Sequence, residues 1–241
     1  MKYLHSFRNY NELDDYMYGD DYLQPFVARV DNQSGITYNR FDTRGITYVN
    51  LGLGQGTLWA TTNIGASSPE QYGNLYSFGE VMTKERYTYS NYLWKGSSNE
   101  REPSKYTHDD WKFSLDPEDD AACVIWGGNW HIPDKYQIQA LVDGTNFSVE
   151  TVNGVSCAKF TSKTNGKYIY IPFSGLYDAS YGRLGTGQTG YLWTDTVCWD
   201  LDDYQHSYHL YFNSGHAELG STSVYRSCGM AIRPVIGRMA L

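Results

Sequence analysis

Apolar residues in this chain recur at two periods, and the changes between them mark out the elements. Near the start, Phe7, Tyr10, Leu13 and Met17 fall at roughly helical spacing behind a capping Ser6, and Gly19-Asp20-Asp21 stops the run. Residues 25–30 and 36–38 then flank Asn32-Gln33-Ser34-Gly35, the pattern of a hairpin with a four-residue loop. Residues 1–45 are too few to bury much alone, so this segment is expected to pack on a neighbour or on another copy of itself. From Ile46 onward the chain reads as strand and loop with two helical interruptions. Residues 48–51 and 57–61 bracket the cluster Gly52-Leu53-Gly54-Gln55-Gly56. Residues 72–106 hold six tyrosines in a polar stretch with few periodic apolar positions, which reads as a long excursion over the surface.

The first interruption is Asp116-Pro117-Glu118-Asp119-Asp120-Ala121-Ala122, with proline near a helix start and acids in the first turn. The second is clearer. Asp134 caps it, Gln137 stands at the reciprocal capping-box position, Ile138, Leu141 and Val142 make the buried stripe, and Gly144 ends it. A meander follows: residues 147–152, the Asn153-Gly154 turn, residues 155–161, the Asn165-Gly166 turn and residues 168–172. Residues 191–193, 208–213, 218–219 and 230–235 read as short strands joined by Gly/Ser-rich loops. The whole predicts an α+β fold with few helices.

Composition narrows the function classes. With 19 Lys+Arg against 27 Asp+Glu, a formal charge of −8 and no basic run, phosphate-backbone binding is disfavoured, so no nucleic-acid partner is expected. No stretch approaches the ~20 apolar residues of a bilayer-spanning helix, and residues 1–10 hold no apolar stretch of signal-peptide length. Tyrosine is the outlier, 23 of 241 residues, which makes disorder untenable because aromatic burial offsets the entropy of ordering. Cys123, Cys157, Cys198 and Cys228 lack the paired spacing of a zinc knuckle, and four reduced thiols are expected, with a Cys198–Cys228 bridge the alternative.

The residues do not spell out catalysis. The glycine cluster at 52–56 leads into a strand-like run rather than a helix N-terminus, so it reads as a turn and not as a phosphate cradle. The acids of 116–120 lack the regular calcium-loop spacing. His206 and His209, spaced i, i+3, fall on opposite faces of a strand and are expected at the surface or in a loop. Asp200, Asp202 and Asp203 read as solvated loop acids, and no two carboxylates stand out as a glycosidase pair. No catalytic residue, metal ligand or cofactor is therefore assigned.

Several ordered motifs carry a resemblance. They are Tyr48-Val49-Asn50-Leu51-Gly52-Leu53, Gly56-Thr57-Leu58-Trp59-Ala60-Thr61-Thr62-Asn63-Ile64-Gly65-Ala66, Ser68-Pro69-Glu70-Gln71-Tyr72-Gly73 and Phe78-Gly79-Glu80. Asp119-Asp120-Ala121-Ala122 and Trp126-Gly127-Gly128-Asn129-Trp130-His131-Ile132-Pro133 continue the series. Tyr208-His209-Leu210-Tyr211-Phe212-Asn213-Ser214-Gly215, Gly229 and Ile232-Arg233-Pro234-Val235 close it. Over residues 46–235 the chain resembles the Fibrobacter succinogenes-type paralogous domain of Bacteroidetes and their phages, in the formylglycine-generating-enzyme-like branch of the C-type lectin fold.

The resemblance implies a C-type lectin-like domain over residues 46–241, with a variable region at about 191–235, behind an N-terminal attachment and oligomerisation segment at 1–45. Relatives include variable proteins of diversity-generating retroelements and phage tropism determinants, in which adenine-directed mutagenesis rewrites a C-terminal segment. Gly220, Ser221, Thr222, Ser223, Val224, Tyr225, Ser227 and Cys228 are all reachable from an AAC codon by changing its adenines. The Glu-Pro-Asn or Gln-Pro-Asp triplet of calcium-dependent lectins is missing, so calcium-dependent sugar binding is not implied. His131 and Asp134 stand where relatives more often carry Arg and Thr. The residues around Cys198 and Cys228 do not match the catalytic cysteines of formylglycine-generating enzymes.

The expectation is thus a receptor-binding protein of a phage tail fibre, made in the cytoplasm without a signal peptide and present in the virion. Its ligand would be a bacterial surface protein or glycan, and the chain would form a homo-oligomer, with a trimer as the guess. His209, Tyr211, His216, Glu218, Ser221, Ser223, Tyr225, Ser227, Cys228 and Met230 are the candidate ligand-binding residues. His209 and Tyr211 flank Leu210 and should share the face opposite it. Alternatives are a carbohydrate-active or formylglycine-generating-type enzyme on the same scaffold, or a structural virion protein. Since residues 187–235 carry tyrosine only at the chain average, most tyrosine is assigned to the scaffold and the 72–106 excursion.

Overall fold

A computed structural model describes residues 40–41, 45–54, 56–97, 103–198, 205–221 and 224–237; the helix and hairpin expected within residues 6–38 lie outside these. The chain runs β1 (Arg40–Phe41), β2 (Thr47–Asn50), β3 (Leu58–Ala60), α1 (Ala121–Trp126), α2 (Lys135–Gly144), β4 (Thr145–Val152), β5 (Val155–Ser162) and β6 (Tyr168–Pro172). It continues through β7 (Leu176–Asp178), β8 (Gly182–Leu184), β9 (Gly190–Val197), β10 (Ser207–Phe212), β11 (Ala217–Gly220) and β12 (Val235–Ile236). Two helices and four small antiparallel sheets, ordered β1-β2-β3-β12, β11-β10-β9, β4-β5-β6 and β7-β8, make the described residues an α+β structure.

The strongest local signals form the elements they encode. Asp134 accepts from the Gln137 N–H at 2.7 Å while the Gln137 side chain accepts from the Asp134 N–H at 2.9 Å, closing the capping box of α2. Asn153 and Gly154 both take positive φ, 48° and 82°, as a two-residue hairpin turn requires, and β4, β5 and β6 pair in unbroken register. The glycine cluster joins β2 to β3, which pair antiparallel. The first helix begins later than expected, at Ala121: the Asp120 carboxylate accepts from the N–H groups of Ala122 and Cys123, so the cap lies there and Pro117–Asp119 form a preceding turn. The β7–β8 hairpin, short and glycine-rich, has no counterpart in the sequence pattern.

Three sheets and α2 share one core. Trp59 and Val235, Phe160 and Ile171, Leu210 and Phe212, and Ile138 and Leu141 all meet there. Close approach decides one glycine: a Cβ on Gly190 would lie 1.9 Å from the Phe212 ring. A second core forms under the loops, where Phe78 meets Tyr106 and Trp193 edge-to-face at 6.0 and 5.6 Å.

This second core corrects the reading of residues 72–106 as a surface excursion. Tyr76, Tyr87, Tyr92 and Tyr106 are all buried, Tyr76 and Tyr106 in this second core and Tyr87 in the main one. Their hydroxyls are not left in water: Tyr87 donates to the Leu75 carbonyl at 2.5 Å, Tyr92 to the Phe78 carbonyl at 2.8 Å, and Tyr106 to the Asp119 carboxylate. A buried phenol needs such a partner, and loop carbonyls supply them where no ladder uses them. No helix among the described residues is long and apolar enough to cross a membrane.

Candidate functional site

The C-terminal candidates are organised by the β11-β10-β9 sheet. Its register places Leu192, Leu210 and Leu219 in one row, facing the main core. Alternation then turns two other rows to the opposite face: Tyr191, Tyr211 and Glu218, and Trp193, His209 and Gly220. The expected sharing of one face by His209 and Tyr211 is met, but the two rows differ in what covers them.

The first row is open. Tyr211 packs against Tyr191 with ring centroids 5.1 Å apart and meets the His216 ring edge-on at 5.8 Å. His216 Nε2 lies 3.7 Å from a Glu218 carboxylate oxygen, with both side chains exposed. Asn213 fixes the tip by donating from Nδ2 to the Tyr211 hydroxyl at 3.1 Å and by accepting from the Gly215 N–H at 2.8 Å. Ser221, half-buried, follows directly from β11.

The second row is closed, which corrects the placement of His209. This residue is fully buried, between the rings of Tyr191 at 6.1 Å and Trp193 at 6.3 Å. Its Nδ1 lies 3.2 Å from the Ser207 carbonyl oxygen, and its Nε2 has no hydrogen-bond partner among the described residues. A Cβ on the facing Gly220 would sit 2.7 Å from that Nε2, so only glycine closes over it. Burial holds the imidazole pKa below its ordinary value. His206 is buried as well, contrary to the surface role expected of both histidines, because Tyr225 lies flat on it at 4.8 Å.

Beyond Gly220 the chain crosses to the other end of β10. His206 and Tyr225 pair across a β-bridge, and the Arg226 N–H donates to the Gln205 carbonyl at 2.7 Å. Five residue steps along the chain separate His206 from Tyr211, roughly 16 Å if extended. Tyr225 is 40% exposed, and then the chain dives. Arg226 donates from Nε to the His206 carbonyl and from Nη1 to the Tyr106 carbonyl, both at 2.9 Å, and lies over the Phe78 ring.

Cys228 and Met230 are therefore corrected, since both are buried and present no side chain to a ligand, whereas Ser227, buried as well, lies among the residues that line a groove beside Tyr225. The Ser227 carbonyl accepts from Ser77 Oγ, and Met230 pairs backbone to backbone with Tyr76. Burial pushes the Cys228 thiol up to about 12. All four cysteines are free thiols, so no bridge joins Cys198 to Cys228. Ser223, with Asp200, Asp202 and Asp203, lies outside the described residues. Of the ten candidates, the structure brings Tyr211, His216 and Glu218 together, leaves Ser221 beside them and sets Tyr225 apart.

Of the acids of 116–120, Asp116, Asp119 and Asp120 are committed within the fold, and Glu118 is exposed. Lys105 Nζ reaches Asp116 at 2.7 Å and Asp119 at 2.5 Å, while Asp120 also accepts from the Ile132 N–H at 2.8 Å. Among the described residues no group of three or more His, Cys, Asp and Glu side chains is placed to hold a metal ion. Three contributors were not singled out in the sequence. Tyr191 is in register with Tyr211, so strand alternation across both segments was the available signal. Tyr89 and Pro103, which face Tyr225 across a groove, come from more than 120 residues away, and no local pattern encodes that meeting. Comparison of the chain with protein-family models, curated proteins and solved structures found no match in any of the three.

Proposed function

We propose that this chain is a receptor-binding protein of a phage tail fibre, recognising a bacterial surface protein or glycan through a C-type lectin-like domain at residues 46–241. Residues 1–45 would attach it and assemble a homo-oligomer, a trimer in the simplest case. The observation that carries this reading is the split between the two faces of the β11-β10-β9 sheet. One face is packed by Leu192, Leu210 and Phe212, while the other displays Tyr191, Tyr211, His216 and Glu218 side by side. Aromatic anchors with small or polar neighbours on a fixed backbone are the composition of adaptable binding surfaces. Single-site affinity from so shallow a patch is modest, and several copies on one tail supply avidity.

Burial also narrows which positions a diversified gene could use. Gly220, Val224, Arg226, Ser227 and Cys228 are held by contacts that a new side chain would break, whereas Tyr211, His216, Glu218, Ser221 and Tyr225 point outward or lie at the surface. A near-copy of the 3′ end of the gene beside a reverse transcriptase would establish the diversification. The recognition itself is tested by adsorption of purified protein to a panel of bacteria. Tyr211→Ala and Tyr225→Ala should each lower adsorption about tenfold or more, the scale of a hot-spot residue. Unchanged adsorption in both variants overturns the site.

A further inference from the structure

The β4-β5-β6 sheet ends on one side at β4, an eight-residue strand that pairs with β5 and with no other strand among the described residues. The phase of its hydrogen bonding is fixed at both ends. At one, the two-residue Asn153-Gly154 turn makes Val152 and Val155 a hydrogen-bonded pair. At the other, the Lys163 N–H donates to the Gly144 carbonyl at 2.9 Å. Antiparallel bonding alternates along a strand, so the even-numbered residues of β4 bond to β5. The N–H and C=O groups of Phe147, Val149 and Thr151 therefore point away from the sheet.

This edge lacks the proline, lysine and bulge by which edge strands are kept from pairing. Val149 is 39% exposed at its middle, and Asn146, Ser148 and Thr151 are exposed around it. The opposite edge, β6, ends in Pro172 and is buried along most of its length. The three outward residues of β4 complement a second copy of themselves. In a two-fold antiparallel pairing centred on Val149, Val149 meets the same residue of the second copy and Phe147 meets Thr151. Every outward N–H and C=O of the three then finds a partner. A shift of two residues either way sets an outward residue against Thr145, the C-cap of α2, or against Asn153 in the turn. On the other face, the centred register puts the Ser148 hydroxyl opposite Glu150, a donor facing a carboxylate, and no like charges lie directly opposite. Glu150 is already balanced within its own sheet by Lys159 at 3.0 Å and by the Tyr170 hydroxyl at 2.6 Å. A strand of unrelated sequence would match the backbone groups but not this side-chain pattern.

We propose that β4 is a self-docking edge, by which two copies of the chain join β4 to β4 across a two-fold axis at Val149 and make a six-stranded sheet. The inference goes beyond the recognition reading and does not depend on it; any assembly made by residues 1–45 would be doubled. One strand edge buries less than the about 1,200–2,000 Å² of a standard interface, so the pairing reverses on dilution. Sedimentation velocity of the full chain from about 1 μM to a few hundred μM, the span of weak affinities, tests it. The mass of the assembly should double as concentration rises. Val149→Lys sets two like charges side by side at the axis, and Val149→Pro removes an outward donor without touching the ladder to β5. Each should weaken the doubling about tenfold or more, the scale of a hot-spot residue. Tyr181→Lys, at an exposed aromatic between β7 and β8, should leave it unchanged.

Cross-linking tests the register. Under diamide, Val149→Cys should form a covalent dimer, because paired Cα atoms about 5.5 Å apart lie within disulfide reach. In Thr151→Cys the two new thiols are offset by four residues, roughly 13 Å along the strands, and should add nothing to the background of the native thiols. A mass that does not change with concentration overturns the proposal. Doubling undiminished in both Val149 variants also overturns it, by placing the contact elsewhere, as does equal cross-linking of the two cysteine variants. Should Val149→Pro not fold, Val149→Lys and the cysteine contrast decide by themselves.

Discussion

His209 sits where a single proton has leverage. Its Nε2 is buried without a partner and Gly220 closes over it, so a charged imidazole would be stranded between aromatic rings. Burial lowers its folded pKa below the ordinary 6.5, with the nearby His206 acting in the same direction and the Ser207 carbonyl and Glu218 opposing it. The unfolded chain therefore takes up the proton first as pH falls. Its contribution is full above pH 6.5, shrinks as pH drops from there through the folded pKa, and is constant below that. A series of urea midpoints from pH 8 to pH 5 should fall for the native chain. The part of that slope due to this residue should disappear in His209→Leu, and an identical slope in the variant would show that another group is responsible.

Helix caps show how the same residue type acquires different weight from its surroundings. Asp134 and Asp120 both cap, but Asp134 is half-buried and serves α2, whereas Asp120 is buried and binds three N–H groups, including that of Ile132 across the loop. Loss of an ordinary cap costs about 1 kcal/mol, and buried donors left unpaired add roughly 1–3 kcal/mol. In denaturant titrations Asp134→Ala should therefore lose about 1 kcal/mol and Asp120→Ala clearly more, by roughly 2–3 kcal/mol; equal losses would mean that the Ile132 contact contributes nothing. Only the milder cap was legible from the sequence, because Gln137 stands three residues after it in a run with helical period. The β4–β6 meander was legible for a similar reason: alternation and Asn-Gly turns are local signals. The burial of Tyr87, Tyr92 and Tyr106 was not, since it depends on carbonyls brought close by the packing of loops. Within the candidate site, alternation along β10 was readable, but the covering of His209 depends on Trp193 and Gly220, which are adjacent to it only across strands.

At the scale of the whole molecule, the question is whether display and scaffold are separable. The segment carrying Tyr225 returns to the core through Arg226, and the next anchor is Arg233. That guanidinium is fully buried, donating from Nε to Asn63 Oδ1 at 2.9 Å and from Nη1 to the Ala60 carbonyl at 3.0 Å. Asn63 in turn donates to the Tyr72 carbonyl at 2.9 Å, so one side chain ties the last strand to a loop 170 residues earlier. Burial pulls the Arg233 pKa down to about 9, a measure of how poorly the site solvates charge. Lysine brings the same charge without the planar fork and cannot span both acceptors. Arg233→Lys should lower stability by roughly 2 kcal/mol through one lost buried hydrogen bond, about 1 M in urea midpoint for a typical slope. The open face of Tyr191 and Tyr211 lies on another sheet, held by its own ladder to β9 and β11. Well below the melting temperature, adsorption of Arg233→Lys to bacteria should stay within about twofold of the native chain, since the bridge that joins β9 to the Arg233 segment, at Leu192 and Ala231, is made by backbone groups and not by the guanidinium. A larger drop, beyond what the unfolded fraction accounts for, would show that the recognition face depends on the anchor for its shape, and the division between fixed frame and displayed surface would have to be abandoned.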